Sequence, residues 1–267
     1  MKKLLVLAIA LCVSIAAIAQ PKVIAHRGFH ATDGSCRNSI AALQKAQELG
    51  LYGSECDINL TKDGKIVVAH GSMHPDKSVY KDKGIKRVEI QKSKLAKIRE
   101  IPLENGEQMP LLEEYLSQTQ KDPYTKLIIE IKSHATPALE TKIVKQTVKL
   151  VAKYGLQERV EYIAFRPWVC FELKRLAPKN TPIAYLNGDY KPEYVKGMGI
   201  SGIDYKYDVL KKHPKWIKQC HKLGLTVNVW TVNDEEALRW VIEQGVDYIT
   251  TDNPILAKKL IAEMCTK

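Results

Sequence analysis

The chain has 267 residues, 45% of them hydrophobic and 27% charged, an ordinary globular composition of a length that one α/β barrel commonly fills. Such a chain can bury a large core without disulfide staples. Its formal charge of +11 comes from lysines scattered along the sequence rather than clustered. With no nucleic-acid-binding signature beside them, a lysine-rich solvated surface is expected and nucleic acid is not a partner.

In chain order, Lys2 and Lys3 precede an apolar run from Leu4 to Ala19 broken only by Ser14, and Ala17-Ile18-Ala19 stands before Gln20. These are the parts of a signal peptide, residues 1–19, with a mature start at Gln20. The run is short for a spanning helix, and Leu11 before Cys12 is too bulky for lipoprotein cleavage. The expectation is an exported protein, periplasmic or secreted, with no stable membrane insertion. Five cysteines remain after processing, without CxxC or Cys/His zinc spacing, and mostly buried, reduced thiols are expected, with room for one disulfide.

From Pro21 onward, short apolar runs alternate with amphipathic stretches. Residues 23–26 read as a strand, 38–49 as a helix ended by Gly50, and 54–60 as a second strand. The turn at Asp63-Gly64 leads into a hairpin arm, 66–70. Residues 71–108 read as an irregular insertion, 111–118 as a short helix and 126–132 as a strand. Further strands are expected at 160–165, 182–186, 202–205, 225–231 and 247–250. Helices are expected at 139–154, 168–176, 192–197, 214–223, 235–244 and 254–264. Apart from the hairpin arm, eight strands each followed by helical sequence favour one closed (β/α)8 TIM barrel, residues 20–267, over an open sheet.

Barrel active sites gather at the C-terminal ends of strands. The polar residues at those ends are His26 and Arg27, Glu55 and Asp57, His70, Glu130 and Lys132, Lys206 and Trp230. Glu55 and Asp57 are one residue apart on a strand, so both leave the same face, and Glu130 and Lys132 repeat that placement. Inward carboxylates repel each other and are costly to bury without a cation. Three hard oxygen ligands suit Ca²⁺ or Mg²⁺ rather than zinc; by parity alone, rim salt bridges explain them equally well. Two histidines near three acids can serve as a base and an acid. Arg27 and Lys132 can hold phosphate oxygens.

An ordered series of segments carries a family likeness. It runs through Ala25-His26-Arg27-Gly28, Gly53-Ser54-Glu55-Cys56-Asp57, and Leu60-Thr61-Lys62-Asp63-Gly64 leading to Val67-Val68-Ala69-His70. Pro110-Leu111-Leu112-Glu113-Glu114 and Ile129-Glu130-Ile131-Lys132 follow. Asn228-Val229-Trp230-Thr231-Val232-Asn233 and Gly245-Val246-Asp247-Tyr248-Ile249-Thr250-Thr251-Asp252 complete it. With these, the chain resembles the glycerophosphodiester phosphodiesterase family over essentially its whole mature length, which implies a PLC-like phosphodiesterase barrel with a short insertion after the second strand. The resemblance implies Glu55, Asp57 and Glu130 as ligands of one divalent metal ion, Ca²⁺ or Mg²⁺, and His26 and His70 as the acid–base pair. It implies phosphate contacts from Arg27 and Lys132, and a substrate pocket lined by Trp230, which by itself reads as a barrel-lining aromatic. The implied activity is hydrolysis of small glycerophosphodiesters to an alcohol and glycerol phosphate through a cyclic phosphate. The alternatives are a phospholipase or lysophospholipase D-like barrel enzyme and a silent phosphodiester-binding protein. Two departures stand out. Cys36-Arg37-Asn38-Ser39 replaces the family's usual Pro-Glu-Asn-Thr, and Gly71 follows His70 where the family usually has Asp, removing a possible orienting carboxylate.

Overall fold

The computed structural model describes residues 20–76 and 86–265; the expected signal peptide and the middle of the expected insertion lie outside the described residues. The strands are β1 (Lys22–Ala25), β2 (Gly53–Leu60), β3 (Ile66–Val68), β4 (Met73–His74), β5 (Val88–Glu89), β6 (Lys126–Ile131), β7 (Val160–Ala164), β8 (Ile183–Tyr185), β9 (Gly202–Lys206), β10 (Thr226–Trp230) and β11 (Tyr248–Thr251). Strand β1 pairs in parallel with both β11 and β2, closing the ring β1-β2-β6-β7-β8-β9-β10-β11. The expected eight-stranded parallel barrel is therefore what forms. Strand β3 runs antiparallel on the end of β2, with Ile58 opposite Val68 and Leu60 opposite Ile66.

Both faces of each barrel strand are buried, which is why the strands read as apolar runs. Outward residues such as Ala25, Cys56, Ile58, Leu127, Ile129 and Val229 join the helices in the main core. Inward residues Ile24, Ile128, Ile163 and Leu186 form a separate cluster with Phe165, Trp230 and Tyr248. Strand parity then sends Glu55 and Asp57, between the outward Cys56 and Ile58, into the barrel. Glu130 and Lys132 continue the inward series begun by Ile128.

The helices start where local chemistry allows. Ser39, Thr136 and Asp234 accept from the amides of Ala42, Leu139 and Ala237, capping the helices Ile40–Glu48, Pro137–Lys153 and Glu235–Glu243. The first helix thus begins at Ile40 rather than residue 38, because Asn38 is held in a left-handed conformation at φ 60°. A further helix, Tyr207–Lys212, follows β9 directly and has no sequence breaker before it.

The insertion is more ordered than its sequence suggests. Strands β4 and β5 pair, and a 3₁₀ turn at Ile90–Lys92 and a helix at Leu95–Ile98 follow. Val67, Ala69, Val88, Ile90, Ile98 and Met109 build a small core of their own. These apolar residues are spread among lysines without a period, so no pattern announces them. Glu107, near the end of the insertion, accepts from the Ile40 and Ala41 amides and ties the segment to the first helix. Cys36, Cys56, Cys170 and Cys220 are buried free thiols and Cys265 is free and half-buried. Among the described residues no helix is long and apolar enough to cross a membrane.

Candidate active site

The C-terminal ends of β1, β2 and β6 meet at a tight turn formed by His26, Arg27 and Gly28. Arg27 has φ 55°, an uncommon conformation for a non-glycine residue, and it aims the Arg27 amide at Glu55 Oε2, 2.8 Å away. Gly28 has φ 76°, and a Cβ there would lie 2.5 Å from the Ala42 Cβ, so only glycine fits. The Asn38 amide donates to the Arg27 carbonyl at 3.0 Å and locks the turn.

Glu55, Asp57 and Glu130 are buried and each offers a carboxylate oxygen within 4.8 Å of the others. Burial, followed by the charges of Asp57 and Glu130, raises the Glu55 pKa well above the usual carboxylate range. Burial, then the Asp57 charge, pushes Glu130 up to about 7. Burial alone would raise Asp57 too, but Lys132, Arg27 and His70, with a hydrogen bond from Asn38, outweigh it and hold Asp57 low. Arg27 Nε lies 3.3 Å from Asp57 Oδ2, while Lys132 Nζ lies 3.2 Å from Asp57 Oδ1 and 2.5 Å from Glu130 Oε1. Two fixed cations thus face three carboxylates. Glu55 Oε1 is buried with no hydrogen-bond partner. An orphaned acceptor in an all-oxygen set fits a hard divalent cation, and the cluster could hold one.

His26 and His70 both open onto the cleft that Glu55, Glu130 and Lys132 line, about 350 Å³ in volume. His26 Nδ1 lies 2.8 Å from Asp252 Oδ1, and His30 Nε2 lies 2.9 Å from the same oxygen. Asp252 is held well below the usual range: its hydrogen bonds from His26 and His30 outweigh burial. An ionised carboxylate can only accept, so both rings donate to it, and His26 keeps Nε2 free for the cleft. Burial lowers the pKa of His26 despite Asp252. Burial likewise lowers His70, whose Nδ1 stands 3.5 Å from Asp76 Oδ2. The carboxylate expected to be missing after His70 is therefore supplied five positions beyond Gly71. Trp230 does line the cleft. Its indole N–H donates to the Asp204 carbonyl at 2.8 Å, and its ring meets Phe165 edge-on at 5.7 Å.

All eight expected site residues converge. Five partners were not expected from the sequence: Asn38, His30, Asp252, Asp76 and Asp204. Asn38 exchanges bonds with Asp57 through Nδ2 at 2.9 Å and Oδ1 at 3.2 Å. Asp252 lies inside a segment that carries the family likeness, and Asn38 keeps the asparagine of the family's usual Pro-Glu-Asn-Thr, signals that could have found them. Lys206 stands over the Trp230 ring, 5.3 Å from its centre.

The profile of the glycerophosphoryl diester phosphodiesterase family matches residues 26–256. The chain belongs to that family. A glycerophosphodiester phosphodiesterase of Caldanaerobacter subterraneus subsp. tengcongensis is 30% identical over 87% of this chain and 94% of its own. A solved glycerophosphodiester phosphodiesterase of Parabacteroides distasonis is 40% identical, with a TM-score of 0.85 over 91% of this chain and 98% of that one. A phosphodiesterase of Oleispira antarctica, solved with the product sn-glycerol-3-phosphate, shares the fold at 21% identity and a TM-score of 0.76, over 91% of this chain and 97% of that one. As a member of the glycerophosphoryl diester phosphodiesterase family, this chain is a phosphoric diester hydrolase. Of its two departures from the usual family pattern, Gly71 is offset by Asp76. Arg37 lines a second pocket beside the cleft, with Arg27, His70, Asp76 and Glu104.

Proposed function

We propose that this enzyme hydrolyses small glycerophosphodiesters, with Glu55, Asp57 and Glu130 holding one divalent cation, Ca²⁺ or Mg²⁺, and His26 and His70 moving the protons. The observation that carries this reading is the buried acid triad, two of whose members, Glu55 and Glu130, line the same cleft as His26 and His70. The Oleispira antarctica phosphodiesterase, with sn-glycerol-3-phosphate bound, holds the kind of product this reading expects. A bound cation would offset negative charge on the phosphate as it develops.

The residues of the chain supply the rest. Arg27 and Lys132 hold phosphate oxygens from the two sides of Asp57. His26, oriented by Asp252, takes the proton of the glycerol hydroxyl next to the phosphate at its free Nε2. That oxygen bonds to phosphorus, and the bond to the departing alcohol oxygen breaks. His70, 40% exposed and opening onto both pockets, protonates the departing oxygen. Water then opens the cyclic phosphate with the two rings in reversed roles.

An intramolecular hydroxyl brings an advantage of roughly 7–11 kcal/mol when well aligned. Diesters without that hydroxyl, such as a 2-deoxy glycerol analogue or a bis-aryl phosphate, are expected to be very poor substrates. Steady-state kinetics on parent and analogue check this, and similar rates would mean direct attack by water instead. The pocket next to His70 receives the departing alcohol, so Arg37 contacts substrate phosphate or its leaving group there. Arg37→Ala is expected to raise KM about 10-fold, with a smaller fall in kcat. Arg37→Glu with higher activity and tighter metal binding would instead mark Arg37 as a loss relative to the family.

A further inference from the structure

We infer that Asp204 recognises a hydroxyl of the substrate, so that the polyol half of the diester lies against Asp204 and Trp230 while the departing alcohol lies beside His70. The inference rests on the cleft being the diester-cleaving site proposed above. Asp204 projects from the inner face of β9 into that cleft, is 1% exposed, and its Oδ1 has no hydrogen-bond partner. A buried carboxyl oxygen left unpaired is costly, and such groups persist where a ligand completes them. The acid triad does not account for it, since Asp204 is outside the set of carboxylates within 4.8 Å of one another.

The surroundings narrow the ligand. Asn228 faces Asp204 in register on β10 and its side chain hydrogen-bonds the Asp204 carboxyl, while Trp230 is pinned to the Asp204 backbone carbonyl. Ile163, Phe165 and Leu186 wall the same space and suit the carbon chain of a small polyol. An aromatic-lined acid could instead hold an ammonium head group, but lysines already stand at both rings. Lys206 is 5.3 Å from the Trp230 ring centre and Lys132 is 5.7 Å from that of Phe165. A hydroxyl, small, neutral and able to donate to Oδ1, is the group that fits.

The test compares two anions that differ only in hydroxyls, glycerol 3-phosphate and propyl phosphate, as competitive inhibitors. The wild-type protein is expected to prefer glycerol 3-phosphate by about 10-fold or more. Asp204→Leu should raise its inhibition constant, and KM for the diester, about 10- to 100-fold while leaving propyl phosphate and metal dependence unchanged. Asp204→Asn, which keeps an oxygen acceptor, should recover part of the loss. Asp204→Asn keeps an oxygen acceptor for the Asn228 hydrogen bond and should leave the melting temperature unchanged, whereas Asp204→Leu removes that bond, so its propyl phosphate constant serves as the check that the cleft is intact. Equal weakening of both anions would overturn the inference, as would an intact preference in the leucine variant or none in the wild type. So would inhibition by phosphocholine that depends on Asp204. Were the wild-type protein to prefer glycerol 3-phosphate yet turn over no diester, the catalytic reading would fall and the role of Asp204 would stand.

Discussion

Stripping divalent cations from this protein is expected to abolish diester turnover, and Ca²⁺ or Mg²⁺ to restore it. Three carboxylates against two fixed cations leave the cleft short of positive charge, and Glu55 Oε1 has nothing to bond. A divalent cation removes that deficit, and an incoming phosphodiester then finds a net positive site. The titration of the acids gives the pH dependence. Glu55 is raised by burial and its acidic neighbours, and Glu130 reaches about 7, so without a cation the carboxylates retain protons at neutral pH. A cation must displace them, which makes binding weaken as pH falls below 7 and strengthen as pH rises. Titration calorimetry at pH 6 and pH 8 should therefore show tighter binding at the higher pH, with proton release on binding. Glu55→Gln keeps the shape and removes one charge; it is expected to weaken the cation by roughly 100-fold or more, beyond the effect of losing an outer partner. Full activity in a verified metal-free sample would falsify the assignment of this triad.

Replacing either His26 or His70 by alanine is expected to lower kcat by about 10²–10⁴, the range for a positioned acid or base. The double variant should lose far less than the product of the two, because neither proton transfer helps without the other. The two rings are held differently. His26 is backed by the Asp252 carboxylate at 2.8 Å, whereas His70 reaches Asp76 only at 3.5 Å. Burial lowers both pKa values, so both rings are largely neutral at pH 7, ready as bases, and the acid form is the scarce one. Turnover should accordingly decline on the alkaline side as the protonated ring is lost. A single variant with near-normal kcat would make that histidine structural.

The fold and the placement of the central carboxylates were readable because they depend on local periodicity. Strands buried on both faces become apolar runs, and the one-residue spacing of Glu55 and Asp57 can only put both side chains on one face. The repeated spacing of Glu130 and Lys132 said the same of β6. Asp204 obeys the same parity, and Asp204 and Lys206 repeat the spacing of Glu130 and Lys132, but the strand lacks the second acid that marks Glu55 and Asp57. Closure of the sheet decided the rest. Pairing β1 with β11 joins His26 to Asp252 across 226 positions, and the left-handed turns at Arg27 and Asn38 bring Asn38 onto Asp57. The insertion drew Asp76 to His70 and Glu107 to the first helix through a core too sparse to leave a period. Which face a residue takes follows from its neighbours in the chain; which partner it meets there depends on contacts between distant segments, and those exist only once the barrel has closed.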